Sequence, residues 1–220
     1  MRTKALLGLA ALAVSAATCV AQSNVYSLNI VGYVNVDITN GFNFINLPLK
    51  PSDGNYNITN TIVLPDGADG ASLFKWTGTA YSSTIPTWVD GMGWYTEQAM
   101  TIGLGESFFI DSPVSGKITF VGEVQTGAIA NSIPAGMTPL GNKVPATEAW
   151  PGTTVGNDGD TIFVWNKAQK RWDSTLWTFV AGEGWFDGTA FSGGPVLAPG
   201  QGVFYQNLGT AINWTQNFNP

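Results

Sequence analysis

The sequence predicts an all-β protein: two tandem, internally duplicated units of β-sandwich or barrel type, following a cleaved signal peptide. Three observations predict it. Segments alternate apolar and polar residues with the period of a strand, 27 glycines and 12 prolines punctuate them, and the second half of the chain rewrites the first. No segment after the leader repeats apolar residues at i, i+3, i+4 and i+7, so no long helix is expected.

The leader comes first. Arg2 and Lys4 form a short basic region, an apolar run follows from residue 5 to 20, and Cys19-Val20-Ala21 supplies small residues before a cut ahead of Gln22. Residues 1–21 are therefore read as a signal peptide, and an exported protein at the cell surface or outside the cell is expected. Arg2, Lys4 and the only cysteine leave with it. Seven basic and fifteen acidic residues remain, which changes the net charge from −6 to −8. An exported chain without cysteine relies on core burial rather than disulfides. No later segment has the roughly 18 apolar residues of a membrane-spanning helix, so no transmembrane span is expected.

Strands follow in order. Residues 25–30 and 33–38 alternate apolar and polar side chains and are rich in β-formers. Leu73-Phe74-Lys75-Trp76, a turn, then Tyr81 reads as a hairpin, and its copy runs from Ile162-Phe163-Val164-Trp165 to Trp172. Period 2 puts Phe74 and Trp76 on one face with Lys75 on the other. Residues 107–110 and 203–205 are apolar on both faces, as central strands are.

The repeat carries the domain division. Gly67-Ala68-Asp69-Gly70-Ala71-Ser72-Leu73-Phe74-Lys75-Trp76 corresponds to Gly156-Asn157-Asp158-Gly159-Asp160-Thr161-Ile162-Phe163-Val164-Trp165. Tyr81 corresponds to Trp172, Gly93-Trp94-Tyr95 to Gly184-Trp185-Phe186, and Ser107-Phe108-Phe109 to Gly202-Val203-Phe204. Gly41 matches Gly136, and Phe120 matches Trp214. The order never breaks while the offset drifts, as loop insertions in a duplicated domain produce. The expected units are residues 22–119 and 120–220.

Composition narrows function. There is no histidine, which removes the commonest general base and zinc ligand. The acidic balance removes a basic nucleic-acid footprint, so no nucleic-acid partner is expected. Nine tryptophans, six tyrosines and twelve phenylalanines are the strongest compositional signal. The recurring pairs Phe74/Phe163, Trp76/Trp165 and Trp94/Trp185 read as core slots. Trp88, Trp150, Trp172 and Trp177 lie among polar or turn residues and read as a glycan-stacking surface. Asp66, Asp69, Asp158 and Asp160 stand in glycine-bearing turns, where carboxylates can gather a calcium ion but also serve ordinary turn chemistry. Glu97, Glu106, Asp111, Glu148, Glu183 and Asp187 are the carboxylates from which a hydrolase would draw an acid–base pair, and no spacing singles two of them out.

The segment Ser23-Asn24-Val25-Tyr26-Ser27-Leu28-Asn29-Ile30-Val31-Gly32-Tyr33-Val34 resembles the start of a family of uncharacterised exported β-repeat proteins from environmental Gram-negative bacteria. Gly41-Phe42-Asn43-Phe44-Ile45-Asn46-Leu47-Pro48-Leu49 and Leu197-Ala198-Pro199-Gly200-Gln201-Gly202-Val203-Phe204 are similar to segments of that family, as is Gly159-Asp160-Thr161-Ile162-Phe163-Val164-Trp165. The resemblance implies an exported β-repeat protein and attaches no activity or site residue. Together these readings lead to an exported, non-catalytic protein with a structural or adhesive role. Self-assembly would run through strands at residues 25–30 and 211–218, whose edges are expected to be unpaired. The alternatives are a carbohydrate-binding protein and, third, a secreted polysaccharide hydrolase. No cofactor is required by any of them, calcium being the one candidate.

Overall fold

The structure, a computed structural model, describes residues 30–219. The leader and residues 25–29 of the first expected strand lie outside the described residues.

The first half contains β1 (Val31–Ile38), β2 (Gly41–Asn46), a single helical turn α1 (Ile58–Thr61), β3 (Ser72–Phe74), β4 (Thr87–Val89), β5 (Gly93–Tyr95), β6 (Ser107–Ser112) and β7 (Gly116–Glu123). The second contains β8 (Gly127–Ile133), β9 (Gly136–Gly141), β10 (Glu148–Ala149), β11 (Thr161–Asn166), β12 (Arg171–Trp172), β13 (Trp177–Val180), β14 (Gly184–Phe186), β15 (Phe191–Ser192), β16 (Val196–Leu197), β17 (Gly202–Asn207) and β18 (Ile212–Phe218). Asn57 caps α1 by accepting from the Thr59 N–H, the ordinary role of asparagine at a helix start.

Five strands follow the same order in both halves. One sheet runs β2-β6-β3-β4-β5; the other runs β9-β17-β11-β13-β14-β15, with β12 hairpinned onto β11. Ribbons β1–β7 and β8–β18 stand apart from these sheets. All pairings are antiparallel. Registers agree residue by residue: Leu73 faces Ile110 as Ile162 faces Tyr205, and Phe74 faces Phe109 as Phe163 faces Phe204. The central strands β6 and β17 are buried on both faces, as their sequence requires. Because β7 continues through Thr119 and Phe120, the division at 119/120 falls inside a strand, and the chain passes between halves after Glu123.

Each half is a sandwich of ribbon on sheet, and neither sheet closes into a barrel. Alternation in β1 and β7 turns Val34, Val36, Ile38, Ile118 and Phe120 inward onto Leu73, Phe108, Ile110 and Trp94. The second core repeats this with Ile133, Ile162, Trp185, Val203 and Tyr205 against Ile212 and Trp214. Burial of this kind contributes about 1.5–3 kcal/mol for each large apolar side chain. A third cluster lies between the two sheets, giving the layer order ribbon, sheet, sheet, ribbon.

Candidate functional site

The third cluster follows from strands whose two faces are both apolar. In β3, Leu73 fills its own half's core, so Phe74 and the following Trp76 must face away from it, toward the other half. Phe163 and Trp165 do the same while Val164 packs inward. Phe44, Phe109 and Phe204 are buried at the centre, and the rings of Phe44 and Phe204 stack at 5.1 Å with 11° between planes.

The halves meet with two-fold correspondence. Asn46 N donates to Gly200 O at 2.9 Å, and Gly141 N donates to Gly105 O at 2.8 Å. Trp76 Nε1 donates to Met137 O at 3.1 Å; Trp165 Nε1 donates to Phe42 O at 3.2 Å. Each bond is the other's counterpart under the repeat, the arrangement of a symmetric homodimer interface within one chain. Close approach needs small residues on one side. A Cβ on Gly141 would lie 2.5 Å from Asn46 Cγ, and one on Gly202 would lie 2.7 Å from Ser107 Oγ.

The two openings of this seam differ. On one, Phe42 fills the space, its ring 5.7 Å from Phe74 and 5.8 Å from Phe109. On the other the matching residue is Met137, and a cleft of about 260 Å³ remains, lined by Trp76, Tyr81, Met137, Phe163, Trp172 and Phe204. Every lining side chain is aromatic or methionine. Tyr81 and Trp172, which correspond in the repeat, pack edge-on to Trp76 at 5.2 Å and Trp165 at 5.1 Å. Neither the Tyr81 hydroxyl nor Trp172 Nε1 has a hydrogen-bond partner among the described residues. Partial burial pushes the Tyr81 phenol above its usual value, so it stays a neutral donor at physiological pH.

The four tryptophans expected to form one surface do not. Trp172 lies in the cleft. Trp88 is buried in the first core, edge-on to Trp94 at 5.5 Å, in the slot that Phe179 fills beside Trp185 at 5.3 Å. Its polar neighbour is its partner, since Trp88 Nε1 donates to Asp90 Oδ1 at 3.0 Å. Trp150 is buried in the second core, and Trp177 packs half-buried against it. Conversely Trp76, Tyr81, Phe163 and Phe204 join the cleft. The signal that could have shown this is an apolar residue on both faces of one short strand, which requires cover on both sides.

The acidic turns serve as backbone acceptors. Asp69 Oδ1 accepts from Asp90 N at 3.1 Å, and Asp158 Oδ1 accepts from Ala181 N at 3.0 Å, again in matching positions. Asp160 is fully buried and accepts from Tyr205 Oη at 2.7 Å, Asn157 N at 2.7 Å and Leu208 N at 2.8 Å. Asp66 is exposed. Among the described residues no three acidic side chains gather at one point.

The carboxylates of the hydrolase reading are dispersed. Glu106 pairs with Lys75 at 3.1 Å and accepts from Gly103 N at 2.8 Å. Asp111 lies on β6, and Glu97 and Glu183 are exposed. Hydrogen bonds from Thr189 and Ala190 hold the Asp187 carboxyl below its usual range. Glu148 belongs to a separate polar group in the second half. Of the strands expected to carry free edges, β18 pairs with β8 along its whole length, leaving its other edge free among the described residues.

The fold and seam define a class: a sandwich-like β protein whose two main sheets meet at an aromatic interface that bears an open cleft. Set against protein-family models, curated proteins and solved structures, the chain matches none of them.

Proposed function

We propose that this is an exported, non-catalytic β protein with an adhesive role outside the cell, holding its partner at the aromatic cleft. Export rests on the leader at residues 1–21. The adhesive reading rests on one observation: five aromatic rings and Met137 line a solvent-open cleft of about 260 Å³. Such a lining offers apolar contact area at low entropic cost, since aromatic side chains have only two side-chain torsions to fix. Tyr81 Oη and Trp172 Nε1 supply two outward donors, which orient a partner that brings apolar faces and hydrogen-bond acceptors.

The test is retention on insoluble extracellular polymers, polysaccharide and protein, by the wild type and two variants. Trp172→Ala removes a cleft wall, whereas Trp177→Ala leaves the cleft untouched. The adhesive reading expects retention to fall at least tenfold for Trp172→Ala and to persist for Trp177→Ala. Equal loss in both, or retention by neither polymer class, overturns it.

A further inference from the structure

We infer that the second half carries a separate binding site for a neutral saccharide, at a pocket lined by Glu148, Trp150, Thr153, Trp214, Thr215 and Gln216. The pocket has a volume of about 350 Å³, the scale of one or two sugar rings. It goes beyond the adhesive reading and lies on the other side of the second sheet from the aromatic cleft.

The first half shows how this position looks when closed. There Lys50 N donates to Glu123 O at 3.1 Å and Glu123 N donates to Lys50 O at 2.7 Å, so backbone lies flat on β7. Gly122 permits it: a Cβ there would sit 2.3 Å from Lys50 O. In the second half the residue matching Gly122 is Gln216, and the residue matching Lys50 is Pro145, which has no N–H to give. The backbone contact is replaced by side chains, and a space opens beside them.

Those side chains are arranged for hydroxyl groups. Gln216 Nε2 donates to Glu148 Oε1 and, at 3.2 Å, to Asn142 Oδ1, while Asn142 Nδ2 donates to Glu148 Oε1 at 2.7 Å. This fixes the carboxamide's orientation and leaves Gln216 Oε1 buried without a partner among the described residues. Buried acceptors are satisfied in the great majority of cases, and at a pocket wall a hydroxyl from outside can supply the missing donor. The second carboxylate oxygen, Glu148 Oε2, has no partner among the described residues either. The hydroxyls of Thr153 and Thr215 add groups that both donate and accept. Trp214, half-buried, supplies the apolar wall against which the C–H face of a pyranose packs, and buried Trp150 backs it edge-on at 6.2 Å.

The rim is held in place. Trp150 N donates to Pro195 O at 3.0 Å and Gly152 N to Gly193 O at 2.8 Å, and β10 pairs with β16. Gly194, at φ 106°, passes so close that a Cβ would meet Trp150 O at 2.0 Å. A carboxylate in the wall and an acidic chain disfavour uronic or sulfated sugars. Because Glu148 already accepts from Asn142 and Gln216 while the other polar lining is uncharged, the pocket suits neutral ones.

Calorimetric titration of the purified protein with neutral gluco-, manno-, xylo- and galacto-oligosaccharides, beside an oligogalacturonate, tests this. At least one neutral sugar is expected to bind saturably with the acidic one silent. Gln216→Leu is expected to weaken binding tenfold or more, and Thr153→Ala, at an exposed position that leaves the fold intact, by a smaller factor. Trp172→Ala in the aromatic cleft should leave the affinity unchanged, so failure here and failure of the adhesive reading are separable. No saturable binding by any neutral sugar, equal binding of the acidic one, or undiminished affinity in both pocket variants overturns the proposal.

Discussion

The two halves share strand order and register yet solve the same packing problem with different chemistry, most clearly where the residue before β3 or β11 meets the central strand β6 or β17. In the first half Ala71 and Ile110 fill the slot, both fully buried and apolar. In the second the matching residues are Asp160 and Tyr205, also fully buried, joined by a 2.7 Å hydrogen bond. The backbone does not notice the exchange: Trp88 N donates to Ala71 O at 2.8 Å, and Phe179 N to Asp160 O at 2.8 Å. A buried carboxylate is tolerated only when its lone pairs are used, and Asp160 uses them on a phenol and two backbone N–H groups. The lesson is that a slot's shape is inherited from the sheet, while its polarity depends on every partner being supplied together.

That comparison can be broken most severely by moving one residue without its partners. Ala71→Asp places a carboxylate in the first half with Ile110 where Tyr205 would stand. Urea denaturation should show a loss of about 3–5 kcal/mol, the scale of an uncompensated buried charge. Asp160→Ala should cost a comparable amount by orphaning the Tyr205 hydroxyl and two N–H groups. The double change Asp160→Ala with Tyr205→Ile, which writes the first half's pair into the second, should cost less than the sum of its singles. Additivity within error would show that the pair does not act as a unit.

Next in size is the seam. Gly141→Ala puts a methyl group 2.5 Å from Asn46 Cγ, where the halves touch. A loss of about 1–3 kcal/mol is expected from overpacking. Gly152→Ala, where a Cβ meets nothing, is no neutral control because its φ is 113°. Gly103→Ala is the better one, its nearest atom being the flexible Glu106 carboxylate at 3.4 Å.

A smaller contrast separates the two core tryptophans. Trp94 Nε1 donates to Ile62 O at 2.8 Å, whereas buried Trp185 Nε1 has no partner among the described residues. Thermal or urea unfolding should therefore find Trp94→Phe costlier than Trp185→Phe by about 1 kcal/mol, the net worth of one hydrogen bond. Equal costs would mean that the indole N–H contributes nothing in either core.

The smallest expected effect is confined to alkaline solution. Burial first, then the hydrogen bond and charge of Asp160, raise the Tyr205 phenol above the ordinary tyrosine value of 10.0. Because the folded-state value is the higher one, this contribution is complete below pH 10 and is lost as pH rises toward the folded-state value. A stability profile from pH 8 to 11 should fall, and Tyr205→Phe should flatten the part of that fall due to this residue. An unchanged slope in the variant removes Tyr205 as its source.

Local pattern dictates much of this architecture, and where the structure departs from it the cause is physical. Period 2 in β1 and β7, apolar β6 and β17, and the hairpins that pair Trp76 with Tyr81 and Trp165 with Trp172 all follow from local pattern. Trp88 is buried although its polar neighbours point to a surface, because Asp90 is there to accept its indole N–H. The pocket around Gln216 is not legible locally, because Gln216 stands 68 and 74 positions from Glu148 and Asn142, and only pairing of β18 with β8 carries it beside them.

From the chain alone came the all-β class, the repeated order of motifs and the face on which each strand residue stands, since these depend on neighbours one or two positions away. Tertiary structure decided what covers each face. Whether an indole enters a core, a seam or a cleft depends on residues some ninety positions distant, and at the aromatic cleft Met137 stands where the other half has Phe42.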